Sequence, residues 1–574
     1  MKRIKSSLLN IWIVSLTLLF SCSSPAPCTE KGNVHIIPFP EQTKTGDDLF
    51  ALGRKTSISY SDPSLKEMAD SLYFWINELT GFLPEVDNSP SSKGIIHLEL
   101  STDPKAFNEL PGTYGTSPKD GNPADEQYLL SVQKTTVRIQ ASAPEGIYRG
   151  ITSLVQLIGG NIGKKGEKVY LPTLEVKDAP RFAWRGLSLD VSRCFFTVEE
   201  VKQVINMLSL YKMNVLHLHL TDNQGWRIEI KKHPRLTEIG SKISNNGRPA
   251  GFYTQEQYKE LIQYAAEHFV TIVPEIDLPG HATSLFTSYP ELKNAVKVKM
   301  NLGIAGQALG AIDADDASAM QLVEDVITEL AAITPGSYIH IGGDETMGLD
   351  EDKYIRFINQ TRRSVVNNGK KMVGWQEITR TDFTEDDLYQ HWIYFKKDKE
   401  HKPEDRAKTD FSPEVMKLLE ETFSKASKDI ERGVSKNAKA ILSPNALVYL
   451  DHRYKEPSVD STQVADQKRL GFASYARKTI QQMYEWDPSA LNPSLDASKN
   501  IAGVEGAIWC ETISNFKELQ FLLMPRLAGV AEKGWSKAEN TNWDEYKVRL
   551  SSQTPLWERM NWYYFKSSLV DWKH

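Results

Sequence analysis

The sequence lacks the features that mark several large classes of protein. Only four of its 574 residues are cysteines (22, 28, 194 and 510), too few and too scattered for a disulfide framework or a zinc knuckle. The formal net charge of -6 provides no basic surface for nucleic acid. Beyond the first 20 residues no apolar run is long enough to span a membrane. The chain has 40% hydrophobic and 25% charged residues, which is ordinary for globular domains, and is long enough for two of them.

The amino terminus has the pattern of an export signal. Basic residues in the first five positions precede an apolar run over residues 8–20, which is short for a membrane span. The run ends at Cys22, and the pattern resembles a bacterial lipoprotein signal. This resemblance implies that residues 1–21 are removed, that Cys22 is lipidated and that residues 22–33 are a tether. The alternative is a simple secretory signal. In either case we expect an exported protein, and in the first case one anchored to the cell envelope, in a leaflet that the sequence does not identify.

Residues 34–178 predict a small α+β domain. Alternating apolar residues predict three strands, in the segments GIIHLEL, QYLLSV and TVRIQAS. Apolar residues at helical spacing over residues 144–158 predict a helix packed on that sheet. This part contains no catalytic constellation, and the segment DAP at residues 178–180 marks its end.

From residue 179 the pattern changes to alternating strands and helices. Helices are predicted over residues 198–211, 255–268, 317–332 and 353–367. Eight segments have the character of buried strands: WRGLSLDVS, VLHLHLTD, VTIVPEIDLPGH, YIHIGGDE, KMVGWQE, LYQHWI, KAILSPN and VEGAIW. Their number and order predict a (β/α)8 TIM barrel with a helical tail over residues 179–574. The polar segment 395–428 is expected to be a surface insertion with some helix.

The carboxyl ends of the predicted strands carry most of the chemistry. Active sites of such barrels are built at these ends. In chain order they hold Asp190 (with Arg193 at the polar end of the same strand), Asp222 with Trp226, Glu275, Asp277 and His281, Asp344 and Glu345, Trp375 and Glu377, His391 and Trp392, Tyr449 and Asp451, and Trp509 and Glu511. Arg185 lies on the first strand and can point inward. Because aromatic faces stack on sugar rings while carboxylates and arginines bind hydroxyls, the pattern indicates a sugar site.

The segment YIHIGGDET, residues 338–346, is the centre of this pattern. A short strand ends in Gly342 and Gly343, which allow a sharp turn, and Asp344 and Glu345 follow where both can reach one site. Two adjacent acids do not ionise easily together, so the pKa of one should be raised. An isolated pair of this kind is most often a charged loop tip, but the matching groups at the other strand ends favour an active site.

The ordered motifs RGLSLDVSR, HLHLTDNQGWRIEI, IVPEIDLPGH, YIHIGGDET, GWQEI and AIWCET resemble those of family-20 glycoside hydrolases, the β-N-acetylhexosaminidases. The resemblance extends from about residue 35 to residue 535. It implies an exo-acting hydrolase that removes terminal β-linked N-acetylglucosamine or N-acetylgalactosamine with retention. The nucleophile would be the substrate's own 2-acetamido oxygen, in place of a second carboxylate. No cofactor is implied, and the partner is an oligosaccharide or glycoconjugate.

The same resemblance implies roles for individual residues. Glu345 would protonate the leaving oxygen and then activate water, while Asp344 would stay ionised and hold the acetamido group. Tyr449 would donate to the acetamide carbonyl. Substrate-binding roles are implied for further residues: Arg185, Asp451 and Glu511 at the hydroxyls, Trp375, Trp392 and Trp509 as pocket walls, and Asp222 and His281 in support. The sequence departs from many relatives at Gln376, where they have Asp.

Two other interpretations use some of the same residues. His217 and His219 resemble the HxH metal pair of barrel amidohydrolases, but there the pair lies on the first strand and here it lies on the second. A non-catalytic, sugar-binding lipoprotein would use the same rim, although it has no need of the pair Asp344 and Glu345. Neither the choice between gluco and galacto substrates nor the oligomeric state follows from the sequence.

Overall fold

The computed structural model describes residues 34–573, except residues 92, 104, 243–246, 297–309 and 395–412. The predicted export signal, tether and lipidated Cys22 therefore lie outside the described residues, as does the first half of the predicted insertion. Within the described ranges, none of the helices combines the length and apolar character needed to cross a membrane.

The amino-terminal part is a mixed sheet with two helices packed against it. Its strands are β1 (Gln42–Leu52), β2 (Ser57–Tyr60), β3 (Glu85–Val86), β4 (Ile96–Leu100), β5 (Tyr128–Val132), β6 (Val137–Ala141) and β7 (Val169–Asp178). They pair in the order β1-β7-β5-β6-β4-β2-β3. The helices are α1 (Lys66–Thr80) and α2 (Pro144–Gly159). Every residue of α2 after Pro144 is buried, because α2 lies between this sheet and the second part of the chain.

The second part is a closed barrel, which confirms the predicted fold class. Its strands are β8 (Trp184–Asp190), β9 (Val215–His219), β12 (Thr271–Glu275), β13 (Tyr338–His340), β14 (Lys371–Trp375), β15 (Leu388–His391), β16 (Lys439–Leu442) and β17 (Ile501–Ile508). All eight predicted strands are present, and neighbours run parallel around the barrel. A short hairpin, β10 (Thr221–Asp222) and β11 (Gly225–Trp226), follows β9.

Helices pack around the barrel. They are α3 (Val198–Leu210), α4 (Arg235–Glu238), α5 (Gln255–Glu267), α6 (Thr283–Ser288), α7 (Ala317–Ile333), α8 (Glu351–Asn367), α9 (Pro413–Ala426), α10 (Asp429–Ser435), α11 (Asn445–Val448), α12 (Val464–Arg469), α13 (Ile480–Tyr484), α14 (Phe516–Leu523), α15 (Arg526–Trp535), α16 (Trp543–Ser551) and α17 (Thr554–Arg559). Capping boxes fix the starts of three of them, with Thr197 and Glu200 at α3, Thr254 and Gln257 at α5, and Thr479 and Gln482 at α13.

The interior of the barrel is layered. The bottom layer is apolar and takes one residue from each strand: Trp184, Val215, Val273, Tyr338, Val373, Leu388, Ile441 and Ala502. Side chains two positions further along a strand point the same way. The next layer therefore contains His217, Glu275, His340 and Gln390, all buried. A polar layer thus separates the apolar bottom from the strand ends, where the candidate site lies.

Candidate active site

The turn after β13 puts the two adjacent acids at the mouth of the barrel. Gly342 and Gly343 have φ of 73° and 99°, conformations that favour glycine. A side chain at position 342 would also collide with Asp277, because a Cβ there would lie 1.8 Å from the Asp277 Oδ1. Glu345 itself has φ of 46°, a strained region for a residue with a side chain. The turn therefore adopts an energetically unfavourable backbone conformation, and this conformation places Asp344 and Glu345 together.

These two acids occupy different environments. The side chain of Asp344 is 12% exposed and that of Glu345 is 40% exposed. Burial, followed by the negative charge of Asp277, raises the pKa of Asp344 well above its usual value. The predicted raised pKa is therefore present, and it belongs to Asp344, because this carboxyl group loses most of its water. The expectation that Asp344 is ionised and Glu345 protonated during the reaction stays a prediction.

His281 lies between the acid pair and Asp222. Its Nδ1 is 3.2 Å from an Asp222 oxygen, and its Nε2 is 3.7 Å from Glu345 and 3.9 Å from Asp344. Burial disfavours the imidazolium, but the charges of Asp222, Asp277 and Asp344 outweigh it and raise the His281 pKa well above its usual value. The structure thus brings Asp222 and His281 together beside the acid pair, with a positive charge on the histidine.

Arg193 is the arginine of the site, and Arg185 is not. Arg193 Nη2 is 2.7 Å from Asp222, and its guanidinium lies 5.1 Å from the ring centre of Trp509. Arg185 is the second residue of β8 and points away, toward Glu126 of the amino-terminal part. The predicted role of Arg185 at the sugar hydroxyls is therefore wrong. It lies at the amino end of its strand, whereas Arg193 follows the carboxyl end.

Asp451 is a buried acceptor on the same rim. Neither of its carboxylate oxygens makes a hydrogen bond of ordinary geometry to a described residue, although the residue is only 1% exposed. Burial and the charge of Glu511 raise the Asp451 pKa well above its usual value. Burial also raises the pKa of Glu511, against the opposing charge of Arg193. Asp451, Glu511 and Arg193 form one polar side of the site.

Aromatic rings form the opposite side. Trp375 has its ring centre 6.4 Å from that of Trp392 and 5.9 Å from that of Trp509. Tyr449 is nearly parallel to Trp392, with an interplanar angle of 7° and centroids 6.5 Å apart. Burial raises the pKa of Tyr449 well above its usual value, so its hydroxyl keeps its proton and can donate. Tyr475, which sequence analysis missed, lies 6.1 Å from Tyr449.

Gln376 and the insertion support this aromatic wall. Gln376 Oε1 accepts the backbone N–H of Trp392 at 3.1 Å and that of Ile393 at 2.9 Å. Its Nε2 donates to Asp429 of α10 at 3.1 Å. Ala426, at the end of α9, packs in the same cluster as Trp375, Trp392 and Tyr449. The described end of the insertion therefore contacts the pocket wall through Ala426, while most of its other described side chains are exposed or partly exposed, in agreement with the predicted surface segment.

Arg193 and Asp277 were predicted to lie at strand ends but were given no role in the site, and Tyr475 was not predicted at all. Arg193 had been placed at the polar end of the first strand, and that position was the signal that could have identified it. Asp277 follows β12, and burial with the charge of Glu275 raises its pKa to about 6. Tyr475 lies in a loop, with no strand-end signal in the sequence.

Among the described residues, three groups of side chains, buried apart from the partly buried His281, have the composition of metal ligands. Each would bring three ligand atoms within 4.8 Å of one another: His217, Glu275 and His340; His219, Asp222 and Asp277; Asp277, His281 and Asp344. In the first two groups His217 and His219 face carboxylates that stabilise their charged forms, with His217 Nδ1 2.8 Å from Glu505 and His219 Nδ1 2.5 Å from Glu275. Burial lowers the pKa of His340 below its usual value. The HxH pair is thus engaged in ion pairs inside the barrel.

Comparison with known proteins gives a consistent result. The sequence model described as "Glycosyl hydrolase family 20, catalytic domain" matches residues 182–538, and "Glycosyl hydrolase family 20, domain 2" matches residues 33–179. A β-N-acetylhexosaminidase of Cellulomonas fimi is 35% identical over 449 residues, covering 78% of this chain and 82% of that protein.

Solved structures resemble the whole chain. The Streptomyces plicatus N-acetyl-β-hexosaminidase in complex with Thio-NAglucal superposes with a TM-score of 0.78 at 32% identity, covering 96% of this chain and 99% of that one. A variant of a Streptomyces plicatus β-hexosaminidase in complex with its product, GlcNAc, has a TM-score of 0.77 at 32% identity, covering 94% and 98%.

Proposed function

The chain belongs to glycosyl hydrolase family 20, and we propose that it is a β-N-acetylhexosaminidase that removes terminal β-linked N-acetylhexosamine residues with retention. The observation that carries this proposal is the pairing of two unlike acids in one aromatic pocket. Glu345 is accessible enough to reach a leaving group, while the buried Asp344 has an Oδ1 with no hydrogen-bond partner among the described residues. An acetamido N–H is the donor that such an acceptor fits.

In the first step, Glu345 gives its proton to the glycosidic oxygen as the bond from that oxygen to C1 breaks. The acetamide oxygen of the same sugar attacks C1 from the other face and forms an oxazolinium ring. Asp344 accepts a hydrogen bond from the acetamide N–H and stabilises the positive charge that develops on the acetamide group. Because that charge and the His281 imidazolium both favour the carboxylate, substrate binding lowers the pKa that burial raises.

In the second step, Glu345 acts as the base. It removes a proton from water as the water oxygen attacks C1, and the C1 bond to the acetamide oxygen breaks to regenerate the acetamide. Two displacements at C1 leave its configuration unchanged. Glu345 regains the proton that it gave up in the first step, so the enzyme returns to its starting state.

The polar side of the site selects a terminal sugar. We propose that Asp451, Glu511 and Arg193 bind the ring hydroxyls, and that Trp375, Trp392 and Trp509 enclose the ring and its acetamido group. The unpaired oxygens of Asp451 are acceptors for hydroxyl donors. A buried rim of this kind encloses the non-reducing end, which makes the enzyme exo-acting. Tyr449 would donate to the acetamide carbonyl oxygen and aim it at C1.

The test is release of p-nitrophenol from p-nitrophenyl N-acetyl-β-D-glucosaminide and from the galacto isomer. Wild-type protein should turn over at least one of them, with the β-anomer of the free sugar formed first by NMR. Absence of turnover on both substrates, together with measurable sugar binding, would contradict the proposal. The effect of EDTA on this turnover tests the metal interpretation, because loss that zinc restores would favour a metal enzyme.

Substrate assistance has its own test. The matched substrate is p-nitrophenyl β-D-glucoside, which has a hydroxyl in place of the 2-acetamido group. We expect its kcat to be lower by at least about 10³-fold, since the intramolecular nucleophile and its effective concentration are lost. Equal cleavage of both substrates would require an enzyme nucleophile instead.

We further propose that the protein is exported and anchored to the bacterial cell envelope through a lipid on Cys22. The support is the sequence pattern of the first 22 residues. Palmitate labelling of the wild type and of the Cys22→Ala variant tests this. We expect label in the wild type and none in the variant. If neither protein is labelled and the mature amino terminus is not residue 22, the lipid anchor is contradicted and a secretory signal is the better interpretation.

A further inference from the structure

Glu275 is a buried carboxylate one layer beneath the proposed catalytic pair. It is 0% exposed and closes the carboxyl end of β12. Its Oε1 accepts the indole N–H of Trp375 at 2.9 Å. Its Oε2 lies 2.5 Å from the Nδ1 of His219 and 3.0 Å from the Nε2 of His217. No step of the mechanism above uses Glu275, yet it contacts the site from below through two different neighbours.

The first neighbour leads to the acetamido pocket. Trp375 is 1% exposed, and the indole N–H donates to Glu275. A buried indole N–H without an acceptor would cost about 1–3 kcal/mol, so this bond fixes the plane of the ring. The plane matters because Trp375 contacts both Trp392 and Trp509, the other two walls.

The second neighbour leads to the catalytic pair. His219 Nε2 is 3.0 Å from Asp222, on the opposite side of the ring from Glu275. Asp222 in turn is 2.7 Å from Arg193 and 3.2 Å from His281. His281 is the group that faces Glu345 and Asp344. One line of contacts thus runs from the barrel interior to the reacting atoms.

Charge alternates along this line. Burial opposes ionisation of Glu275, but the charges of His219, His340 and His217 outweigh it and hold its pKa well below the usual value. Burial also opposes the imidazolium of His219, which Glu275 and Asp222 stabilise, so its pKa is raised well above the usual value. Asp222 has a pKa held well below the usual value, because Arg193 and His281 outweigh its burial. Each charge is therefore held by the next.

We propose that Glu275 is a positioning residue for both halves of the reaction, because its two oxygens fix the Trp375 wall and, through His219 and Asp222, the His281 and Arg193 side chains. This rests on the function proposed above. Glu275 touches no substrate. Its part is to hold one side of the pocket for binding and the other side for proton transfer.

The same layer contains a matched control. Glu505 of β17 is also 0% exposed, and it accepts from Trp184 at 2.7 Å and Gln390 at 3.0 Å and contacts His217. None of these three partners is among the proposed site residues. Removal of charge from Glu505 should therefore cost stability of the same kind without moving the catalytic groups.

The experiment compares Glu275→Gln and Glu505→Gln with the wild type in steady-state kinetics on the p-nitrophenyl N-acetylhexosaminide that the wild type hydrolyses best. We expect kcat/KM of Glu275→Gln to fall about 10–100-fold, the range for loss of a group that orients catalytic residues. Both kcat and KM should change, since both arms are affected. Glu505→Gln should stay within about threefold of the wild type, while both variants unfold at a lower temperature.

The dependence of kcat/KM on pH separates positioning from a general loss of stability. The charged groups that face His219 are Glu275, Asp222 and Asp277, and those that face His281 are Asp222, Asp277, Asp344 and Glu345. Without the Glu275 charge, His219 loses its proton at lower pH, and Asp222 then loses a donor. The alkaline limb of the Glu275→Gln profile should therefore shift to lower pH, and that of Glu505→Gln should not.

The outcomes are distinct. Equal losses in both variants, or unchanged activity in Glu275→Gln, would overturn the positioning role. If Glu275→Gln does not fold, Trp375→Phe and His219→Gln test the arms separately, with KM expected to rise in the first and kcat to fall in the second. A wild type without turnover on either N-acetylhexosaminide would contradict the proposed function itself, before any variant is compared.

Discussion

Buried charged groups are fully hydrogen-bonded at one end of the barrel and partly unpaired at the other. At the bottom, Arg185 uses every guanidinium nitrogen: Nε donates to the carbonyl of Lys212 at 2.9 Å, Nη1 to that of Phe182 at 2.7 Å, and Nη2 to Glu126. At the top, Asp344 and Asp451 keep carboxylate oxygens that make no hydrogen bond of ordinary geometry to a described residue.

This difference distinguishes a structural contact, which holds two parts of the fold together, from a ligand-binding site. Glu126 belongs to the amino-terminal part and also accepts from Arg149 at 2.8 Å, so the bottom cluster ties that part to the first barrel strand. A buried charged group whose donors and acceptors are all paired has none left to bind a ligand. A buried acceptor without a partner destabilises the protein until a ligand donates a hydrogen bond to it. The top of the barrel thus gives up stability to hold groups for a substrate.

The largest expected effect is at the top, in the variant Glu345→Gln. The amide cannot give or take the proton, so kcat should fall by about 10²–10⁴-fold, equivalent to about 3–5 kcal/mol of barrier. Because the side chain is 40% exposed, the melting temperature should stay within about 1 °C of the wild type. Stopped assays by NMR measure the residual rate. A large drop in melting temperature would show that Glu345 stabilises the fold, as the paired groups at the bottom of the barrel do.

The bottom should respond in the opposite sense to Arg185→Met. Removal of one partner leaves Glu126 buried beside a single arginine, which should lower the free energy of unfolding by about 3–5 kcal/mol. Urea unfolding, followed by Trp fluorescence, measures it. The fraction that remains folded should keep the wild-type KM. A raised KM at unchanged stability would show that Arg185 binds the sugar, and it would contradict the difference described between the two ends of the barrel.

A smaller effect is expected from Arg193→Lys. Lysine keeps the charge but not the planar fork, so it cannot face Asp222, the Trp509 ring and a sugar hydroxyl together. We expect kcat/KM to fall about 10–100-fold, which corresponds to about 1.4–2.7 kcal/mol. Arg185→Lys is the matched control and should leave kcat/KM unchanged. Michaelis kinetics on both variants would show whether the two arginines divide as the structure places them.

The two arginines also mark how far the sequence could predict the site. Alternating strands and helices gave all eight barrel strands, because each buried parallel strand is bounded by turn residues and followed by an amphipathic helix. The strand ends then indicated the acids and aromatics. The position of Arg185 could not be predicted in this way, since its partner Glu126 lies 59 residues upstream in another part of the fold.

Which of the two adjacent acids has the raised pKa was also out of reach of the sequence. Asp344 and Glu345 are neighbours with similar side chains, and only the tertiary structure buries one and exposes the other. The charge that adds to the shift comes from Asp277, on a different strand end. Sequence patterns locate such groups along the chain, but they do not give depth below the surface.

The smallest expected effect is on stability, and it tests whether an unpaired acid costs free energy. Burial and Glu511 raise the pKa of Asp451, so between about pH 4 and that raised pKa the folded state binds more protons than the unfolded state. The stability that Asp451 supplies in its protonated form is then lost as pH rises above about 4. Asp451→Asn should therefore unfold at a higher temperature than the wild type at pH 7, by an amount within the roughly 0.5–2 kcal/mol of stabilising substitutions.

Asp222→Asn is the matched variant with the opposite sign. Arg193 and His281 hold the pKa of Asp222 well below its usual value, so its contribution to stability is present at neutral pH and is lost only on acidification. This variant should unfold at a lower temperature than the wild type at pH 7. Thermal unfolding at pH 7 and near pH 4 measures both differences. That of Asp451→Asn should shrink at the lower pH, whereas that of Asp222→Asn should persist near pH 4 and shrink only on further acidification, because the pKa of Asp222 lies well below its usual value. If Asp451→Asn were also less stable at pH 7, its unpaired oxygens would have a protein partner, and the top of the barrel would be fastened like the bottom.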